Sequence, residues 1–359
     1  MKIFVTNFKN KFTGVTTTAF TVARAHVEIF DQDVTIVGNV PGDQVLPSIS
    51  SQQLLGRWDQ LVGNESVVLH VRRDSEMLFG LWLRDVQRKP IKLVFTSANM
   101  TRRSWIGRLL MARMDAVIAT TQAAGAVLPV EPSAIIPHGV DLEQFRPSLS
   151  PKTQKSRRTL ACVGRVREGK GTHRFVNAFI KVARQRDDVD AIAFGMIKPE
   201  DAVFYRRLLR QLEQAGLSDR FTWAGEVHHA DLVERLGVCD VLVALPAYEP
   251  FGVTPIEAMA MGIPSVCSYT GCFVDLIKPG QNGYLVAHDD EVAAAEAIAK
   301  ALTLPLGKAE FVHKLRDDIN QRFSQKAEAE AILGIYRQLS GRYDDSAFNR
   351  PSSTSRSTS

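Results

Sequence analysis

Short apolar segments alternate with longer segments of helical periodicity along most of the chain. In a βαβ unit, a short buried strand is followed by a helix that leads back to the next parallel strand, so this alternation predicts an α/β fold. Helical segments in the first half include Thr16–Phe30 and Asp74–Arg88. The predicted strands of this half are Lys2–Thr6, Asp33–Val37, Ser66–Val71, Lys92–Thr96, Ala116–Ala119 and Ala134–Pro137.

The alternation stops at residues 147–158, which are rich in Pro, Ser and Lys and resemble a linker. It then resumes, with helical segments such as Thr172–Arg184 and Val203–Ala215. The predicted strands of the second half are Thr159–Val163, Asp190–Phe194, Arg220–Ala224, Val241–Ala244, Pro264–Ser268 and Tyr284–Val286.

This organisation predicts two Rossmann-like, doubly wound domains that face each other across a cleft. We expect an N-terminal domain at 1–146, a linker at 147–158, a C-terminal domain at 159–340 and a disordered, Ser- and Thr-rich tail at 341–359. Ligands of doubly wound sheets bind at the carboxyl ends of the strands, so the candidate residues are those that follow strands.

Composition narrows the class of protein. The 359 residues are 45% hydrophobic and 23% charged, as in a soluble globular protein. Four cysteines form no C-x-x-C pair, and three lie in apolar runs, which favours buried free thiols and a reducing, cytoplasmic compartment. The N-terminus lacks a signal-peptide pattern, and no apolar run approaches the roughly 20 residues of a membrane-spanning helix. The net charge of +5 suits an anionic ligand or surface.

The most informative segment follows the predicted strand Val241–Ala244. Glu249 lies in the loop after this strand, Thr254 is a predicted helix cap, and Glu257 falls in the first turns of the helix. Carboxylates accept hydrogen bonds from hydroxyl pairs, so Glu257 suits a ribose and Glu249 a second sugar. The alternative is that both acids only complement the helix dipole.

Glycines and cations add to this candidate site. The turn Phe251-Gly252-Val253 brings backbone N–H groups to the helix start, where phosphate and sugar oxygens bind well. Arg165 and Lys170 follow the predicted strand Thr159–Val163 and can neutralise a diphosphate. A solvated basic loop is the alternative for this pair.

A further glycine follows the first strand. Gly14, in Lys11-Phe-Thr-Gly14, opens a predicted helix and would let the backbone approach a phosphate. A purely structural turn is the alternative there.

Three motifs, in this order along the chain, resemble those of the retaining, GT-B-fold glycosyltransferases of family 4 (group 1). They are Ile136-Pro-His138-Gly-Val-Asp141, with His in place of Asn; Gly164-Arg165-Val-Arg-Glu-Gly-Lys170-Gly171; and the E-x7-E element Glu249-Pro-Phe-Gly with Glu257-Ala-Met-Ala-Met-Gly-Ile-Pro. The resemblance implies that Arg165 and Lys170 contact the donor pyrophosphate. It also implies that Glu249 and the backbone of Phe251–Val253 orient the transferred sugar.

The sequence departs from the family in one loop. A histidine that reaches the transferred sugar normally follows the strand Lys92–Thr96, but Ser97 and Asn99 stand there instead. His70 and His138 are other candidates, although a lone histidine beside a strand is more often structural. We therefore assign no general base; in the family, proton acceptance is attributed to a donor phosphate oxygen.

No metal or cofactor is expected. Asp31-Gln-Asp33 and Asp188-Val-Asp190 match a D-x-D pattern, but both lie at helix-to-strand connections, opposite the expected ligand edge. The cations Arg165 and Lys170 make a metal unnecessary for the leaving group.

A basic segment extends from Arg88 to Arg113, with seven Lys or Arg and no acid. Arg102, Arg103 and Arg108 flank Trp105, which suggests contact with a phosphorylated glycolipid acceptor or an anionic membrane. A packing helix with an exposed basic rim is the alternative. Nucleic acid is disfavoured because no recognition motif is present.

Within the family, the chain most resembles lipopolysaccharide core mannosyltransferases of rhizobium-like bacteria. The resemblance implies GDP-mannose as donor and a core oligosaccharide acceptor at the cytoplasmic face of the inner membrane. UDP-glucose or UDP-galactose is an alternative donor, and a non-catalytic sugar-nucleotide-binding protein is an alternative function. A dehydrogenase is disfavoured, since neither half has G-x-G-x-x-G after its first strand.

Overall fold

A computed structural model describes residues 1–9, 14–40, 46–147 and 156–341. Lys11–Thr13, most of the predicted linker (148–155) and the predicted tail beyond residue 341 lie outside these described residues. The strands form two parallel sheets with helices between consecutive strands, so the predicted α/β class with two Rossmann-like sheets is confirmed.

The first sheet has seven strands in the order β3-β2-β1-β4-β5-β6-β7. Strand β1 pairs with β2 on one side and β4 on the other, with Lys2 opposite Asp33 and Val67. The strands are β1 Lys2–Asn7, β2 Asp33–Gly38, β3 Ser48–Ile49, β4 Val67–Val71, β5 Ile91–Ser97, β6 Ala116–Ala119 and β7 Ala134–Ile135. The helices of this half are α1 Gly14–Glu28, α2 Ser51–Gly56, α3 Trp58–Val62, α4 Asp74–Leu81, α5 Trp105–Met111 and α6 Gln122–Ala126.

The second sheet has six strands in the order β10-β9-β8-β11-β12-β13. They are β8 Arg158–Val163, β9 Val189–Phe194, β10 Phe221–Gly225, β11 Val241–Ala244, β12 Ser265–Ser268 and β13 Gly283–Val286. The helices are α7 Thr172–Ala183, α8 Ala202–Gln214, α9 His229–Gly237, α10 Thr254–Ala260, α11 Phe273–Leu276, α12 Glu291–Ala301, α13 Ala309–Phe323 and α14 Gln325–Leu339. Strand order reverses beside β8, so β8 and β11 border the position where such sheets bind ligands.

Apolar side chains cover both faces of the second sheet. Alternate residues of a strand point to opposite faces, and in β11 Val243 joins the cluster around Phe179 while Leu242 joins the cluster around Met259. The predicted strands all occur, with ends shifted by a residue or so, and the two-residue strand β3 was not predicted. The predicted helix Asp74–Arg88 ends earlier, because α4 passes into a π-helical turn at Trp82–Val86.

Contacts divide the chain into two compact units. The first contains Met1–Thr96, Trp105–Val117 and the chain from Ala329 onward, and the second contains Ser97–Ser104 and Ile118–Glu328. Helix α14 completes the first unit: the Ala329 carbonyl oxygen lies 2.8 Å from His26 Nε2, and the Tyr336 hydroxyl lies 2.5 Å from His70 Nδ1. The sheet-based boundaries at residues 146 and 159 stay predictions.

One arginine holds three segments of the second unit together. Arg316 of α13 donates hydrogen bonds to the carbonyl oxygens of Leu142 (2.6 Å), Phe145 (2.8 Å) and Ala260 (2.9 Å). Ala260 is the last residue of α10, so the guanidinium also neutralises the negative end of that helix. This contact fixes α10 against the chain that follows the Ile136–Asp141 motif.

All four cysteines are buried and free, as expected for the three in apolar runs. Burial raises the pKa of the Cys162 thiol to about 12, because the thiolate would lose its water. Within the described ranges, none of the helices combines the length and apolar character needed to cross a membrane.

Candidate functional site

The carboxyl end of β11 leads into a loop that we name the Glu249 loop, residues 246–253. Helix α10 follows it, with Val253 as N-cap residue and Thr254 as the first helical residue. The predicted cap at Thr254 is therefore wrong by one position, because the chain already turns helical after Gly252. Glu257 lies in the first turn of α10, as predicted.

Glycine is required in this turn. Gly252 has φ of +85°, and a Cβ there would lie 2.5 Å from the Phe273 ring and 2.9 Å from Glu249 Cγ. Any larger residue would push the Glu249 side chain away. The turn also buries the Phe251 side chain in the core of the second unit.

A second segment supports the Glu249 loop from behind. The Thr270 hydroxyl accepts a hydrogen bond from Glu249 N (3.1 Å), the Ser268 hydroxyl donates to Pro246 O (2.6 Å), and the Cys272 thiol donates to Phe251 O (2.9 Å). Ser268 ends β12, the neighbour of β11, and Thr270 and Cys272 follow it. None of the three was predicted as a site residue; the available signal was their place at the end of the predicted strand Pro264–Ser268.

The structure brings Lys170 and Glu249 together as an ion pair. Lys170 ends a 3₁₀ turn, Glu168–Lys170, after β8, and Gly171 follows with φ of +74°. A Cβ on Gly171 would lie 1.9 Å from Leu245 O, so this loop reaches the Glu249 loop only because residue 171 is glycine. The G-R-x(3–5)-K-G and E-x7-E motifs therefore meet at the carboxyl edge of the second sheet.

Arg165 lies in the same β8–α7 connection as Lys170. It follows Gly164. A Cβ on Gly195, the residue after β9, would lie 2.0 Å from the Gly164 carbonyl oxygen, so the two backbones are in close contact. Arg165 is half-buried, and it forms no ion pair with any residue that the structure describes. It follows β8, as predicted, and β8 borders the strand-order reversal.

Glu257 carries a half-buried carboxyl, and no residue that the structure describes supplies a counter-ion to it. Burial raises its pKa to about 7, because the charged form loses its hydration. No described residue donates a hydrogen bond to its side chain, in contrast to most buried carboxylates. A ligand hydroxyl would supply the missing donor.

Gly14 opens α1 in the first unit, as predicted. A Cβ at this position would meet no atom of the described chain within 4 Å, so packing does not require glycine there. Lys11, Phe12 and Thr13 of the same loop lie outside the described residues.

The loop after β5, where the family histidine is missing, lies beside the Glu249 loop in the second unit. The Tyr248 hydroxyl donates a hydrogen bond of 2.8 Å to Asn99 Oδ1, and Met100 N donates to the same hydroxyl at 3.3 Å. Ser97 ends β5 and is buried. His70 is a core residue: Thr96 and Tyr336 contact its ring nitrogens, and its pKa is lowered by burial and then by nearby Arg72 and His26.

Helix α5 carries an exposed apolar and basic surface. On the helix, Trp105 is 74% exposed, Leu109 is 59% exposed and Arg108 is also exposed. In the segment before the helix, Arg102 is exposed and Arg103 is half-buried. Not all bases of the segment are available, because Arg113 pairs with Asp85 (2.7 Å) and Lys92 lies 3.7 Å from Asp115. Three further exposed apolar residues follow one face of α4 and the π-helical turn: Leu78, Trp82 and Val86.

Both D-x-D acid pairs lie at the amino ends of strands, and three of the four acids form ion pairs. Lys2 pairs with Asp33, Arg157 with Asp190 and Arg186 with Asp188. Among the described residues there is no group of three or more His, Cys, Asp or Glu placed to hold a metal ion.

Known proteins resemble this chain over most of its length. The sequence model described as "Glycosyl transferases group 1" matches residues 145–325, which include both motif loops. The lipopolysaccharide core biosynthesis mannosyltransferase LpcC of Rhizobium leguminosarum bv. viciae is 36% identical, over 95% of this chain and 97% of LpcC. LpsB of Rhizobium meliloti (strain 1021), with the same description, is 33% identical over 94% of this chain and 98% of its own.

Solved structures share the fold. HepE of Anabaena, in complex with UDP-glucose, superimposes with a TM-score of 0.77 at 19% identity, over 94% of this chain and 100% of HepE. A glycosyltransferase of Rickettsia africae ESF-5 gives a TM-score of 0.77 at 18% identity, over 94% and 98% of the chains. The two motif loops meet at the carboxyl edge of the second sheet, and the comparisons cover most of the chain. The chain is therefore a GT-B-fold member of the group 1 glycosyl transferases, and so a glycosyltransferase.

Proposed function

We propose that the protein transfers mannose from GDP-mannose to a lipopolysaccharide core acceptor, with retention of anomeric configuration. We infer mannose as the sugar and the lipopolysaccharide core as the acceptor from the similarity to LpcC and LpsB, which extends over nearly the whole chain. Both of these proteins are named core mannosyltransferases. The chemistry is supported by the contact between Lys170 and Glu249 beside a helix N-terminus.

The cations of the β8–α7 connection would bind the donor diphosphate. Lys170 and half-buried Arg165 stand at the edge of the sheet where a nucleotide binds, and two positive charges stabilise the negative charge that develops on the leaving diphosphate. In the structure Lys170 is held by Glu249. A bound diphosphate would take over this cation and leave the Glu249 carboxylate to accept hydrogen bonds from hydroxyls of the transferred sugar.

The start of α10 would bind the rest of the donor. The backbone N–H groups of Phe251, Gly252 and Val253 lie just before the first turn of α10 and would suit sugar or phosphate oxygens. Glu257, which lacks a donor among the described residues, would accept hydrogen bonds from the two ribose hydroxyls. We assign Gly14 to the donor site, where its lack of a side chain would let the backbone approach the diphosphate closely. This assignment rests on the family resemblance alone.

A divalent metal has no part in this proposal, because Arg165 and Lys170 supply the positive charge. Transfer is therefore expected to continue in a chelator. Activity that disappears in EDTA and returns with magnesium or manganese would contradict the assignment of these two residues.

We propose that the surface of α5 meets the anionic membrane that carries the glycolipid acceptor. Exposed Trp105 and Leu109 can enter the interface, while Arg102, Arg103 and Arg108 attract anionic headgroups. The protein would then act peripherally, at the cytoplasmic face of the inner membrane.

A panel of nucleotide sugars tests the proposal. Purified protein is incubated with GDP-mannose, UDP-glucose or UDP-galactose, with and without core glycolipid, and release of nucleoside diphosphate is measured. GDP release that requires the glycolipid is the expected result. Release of UDP instead would replace the donor, and binding without release from any donor would indicate a non-catalytic nucleotide-sugar-binding protein.

A further inference from the structure

The junction motif Ile136–Asp141 is built onto the start of α14. Val140 N donates to Phe323 O (2.8 Å) and Gln325 N donates to Val140 O (3.0 Å). A Cβ on Gly139 would lie 2.4 Å from Ser324 O, so the two backbones are in direct contact. The motif residues therefore have little freedom relative to the first turn of α14.

A buried carboxylate locks this contact. Glu328 Oε1 lies 2.8 Å from His138 Nδ1, and Glu328 Oε2 accepts a hydrogen bond of 2.7 Å from Gly139 N. Both side chains are nearly inaccessible to water, at 2% for Glu328 and 6% for His138. Two donors from adjacent residues thus fix the orientation of the imidazole ring.

The fixed ring packs against the Glu249 loop. The His138 and Phe251 ring centroids are 4.9 Å apart at an interplanar angle of 71°, the edge-to-face geometry that aromatic rings favour. Phe251 lies between Glu249 and Gly252, and its carbonyl oxygen is held by the Cys272 thiol. His138 is the contact that positions the Phe251 side chain from the side of α14.

We infer that Glu328 and His138 form a positioning pair that sets the Glu249 loop for donor binding, an inference that rests on the proposed donor site. Neither residue touches the donor in this proposal. Glu328 orients His138, His138 orients Phe251, and Phe251 places the backbone N–H groups and the Glu249 carboxylate. Glu328 is the last residue of the second unit before the chain enters the first. The Glu328–His138 pair therefore connects the Glu249 loop to this end of the second unit.

Four variants separate the parts of the pair. His138→Asn keeps a hydrogen-bond donor for Glu328 but removes the ring, and His138→Ala removes both. Glu328→Ala removes the orienting carboxylate. Glu328→Gln keeps the shape of the side chain. The amide oxygen can accept a hydrogen bond from Gly139 N, and the amide nitrogen can donate one to His138 Nδ1 when the imidazole carries its proton on Nε2.

The measurements are steady-state kinetics and hydrogen exchange of the backbone amides of residues 249–253. We expect His138→Asn, His138→Ala and Glu328→Ala to raise the donor KM by about tenfold, which corresponds to about 1.4 kcal/mol. Their kcat and acceptor KM should change little, exchange in the Glu249 loop should accelerate without ligand, and Glu328→Gln should restore wild-type values.

His26→Asn is the matched control. His26 is also fully buried, contacts a carbonyl oxygen (Ala329) and packs against an aromatic ring (Tyr336), but it lies in the first unit. It should lower the melting temperature while leaving donor KM and loop exchange unchanged. If the His138 and Glu328 variants behave like this control, the inference is overturned.

Failure of the proposed function gives a different result. The kinetics are run with whichever nucleotide sugar the wild-type protein turns over, so a donor other than GDP-mannose changes the proposed function and leaves this test intact. The exchange measurement needs no donor. Unchanged exchange in His138→Asn together with an unchanged donor KM would overturn the positioning role even if mannose transfer is established.

Discussion

Two glutamates, one at the carboxyl edge of each sheet, have different surroundings: Glu76 is fully buried and Glu257 is half-buried. Glu76 lies in the first turn of α4 after β4, and Glu257 in the first turn of α10 after β11. The Glu76 carboxylate is saturated: it accepts hydrogen bonds from the Thr6 hydroxyl (3.0 Å), Arg72 N (2.8 Å) and Arg73 Nη1 (2.8 Å). Glu257 has no such donor from the described residues.

The difference contrasts a structural edge with the edge that we propose binds the donor. Arg73 also donates to Asn7 (3.1 Å) and Thr16 (3.1 Å), so the Glu76 cluster ties β1, α1 and α4 together. At the second sheet, close contacts at Gly171, Gly252 and Gly271 hold the loops. The charged side chains Lys170 and Glu249 pair with each other there. A half-buried carboxyl that none of the described residues compensates is destabilising by itself, which is typical of a binding site.

The largest effect on activity is expected at the second edge. Lys170→Ala removes one of the two cations assigned to the leaving diphosphate, and kcat/KM should fall on the order of 10²- to 10³-fold. Lys278→Ala is the control, since Lys278 is also half-exposed and pairs with an acid, Asp318, away from the loops. Equal activities of the two variants would remove Lys170 from the site.

The first edge should respond in stability instead. Arg73→Ala leaves the fully buried Glu76 carboxylate without its counter-ion, and we expect a loss of about 3 kcal/mol in the free energy of unfolding. Urea denaturation measures it. Lys170→Ala should show no comparable loss, and a normal unfolding midpoint for Arg73→Ala would mean that the two edges do not differ in this way.

Glu257 should give the donor affinity a pH dependence. Its pKa of about 7 means that the carboxyl takes up a proton as pH falls through neutrality, and the protonated form accepts ribose hydroxyls poorly. The donor Kd of the wild-type protein should therefore rise below pH 7. Glu257→Gln should bind more weakly at pH 8, by roughly 1–3 kcal/mol for a lost charged acceptor, and its Kd should be flat with pH. Calorimetry at pH 6, 7 and 8 distinguishes the two proteins.

The same carboxyl should affect stability in the opposite direction. Its pKa is raised from an ordinary 4.5 to about 7 in the folded chain, so the folded state holds the proton more tightly than the unfolded state. The contribution of Glu257 to stability is therefore lost as pH rises from about 4.5 to about 7. Glu257→Gln should melt higher than wild type at pH 8 and similarly at pH 4. A lower melting temperature at pH 8 would mean that the carboxylate has a partner in the fold.

The smallest effect is expected at α5. Each of Arg102, Arg103 and Arg108 near an anionic surface contributes roughly 1 kcal/mol, which salt screens. Replacing all three with Ser should weaken binding to anionic vesicles at low salt and less at high salt, with donor affinity unchanged. Arg113→Ser is the control, because Arg113 already pairs with Asp85. A lower melting temperature with intact vesicle binding would show that the surface only packs.

The fold and the motif residues of the second unit could be predicted because their signals are local. Apolar periodicity marks strands such as Val241–Ala244, and glycines such as Gly171 and Gly252 mark turns where backbones meet. The two-residue strand β3, Ser48–Ile49, was missed because only one of its residues is apolar, whereas the equally short β7, Ala134–Ile135, lies in an apolar run.

Residues whose roles depend on distant partners could not be predicted. Glu328 lies 190 positions from His138, and Glu76 lies 70 positions from Thr6, so nothing local shows that each pair meets. Thr270 and Cys272 act on the Glu249 loop only because β12 lies beside β11. The order of the strands decides which loops are neighbours, and this order exists only in the folded sheet.

The three carbonyl contacts of Arg316 have a consequence for exchanging parts between related enzymes. The shared family segment begins at residue 145, yet Arg316 binds the carbonyl oxygens of Leu142 and Phe145 as well as that of Ala260. A chimera joined at residue 145 would take Arg316 from one parent and residue 142 from the other. Splicing ahead of Ile136 would keep the arginine with all of its acceptors, so hybrids joined there should fold more reliably.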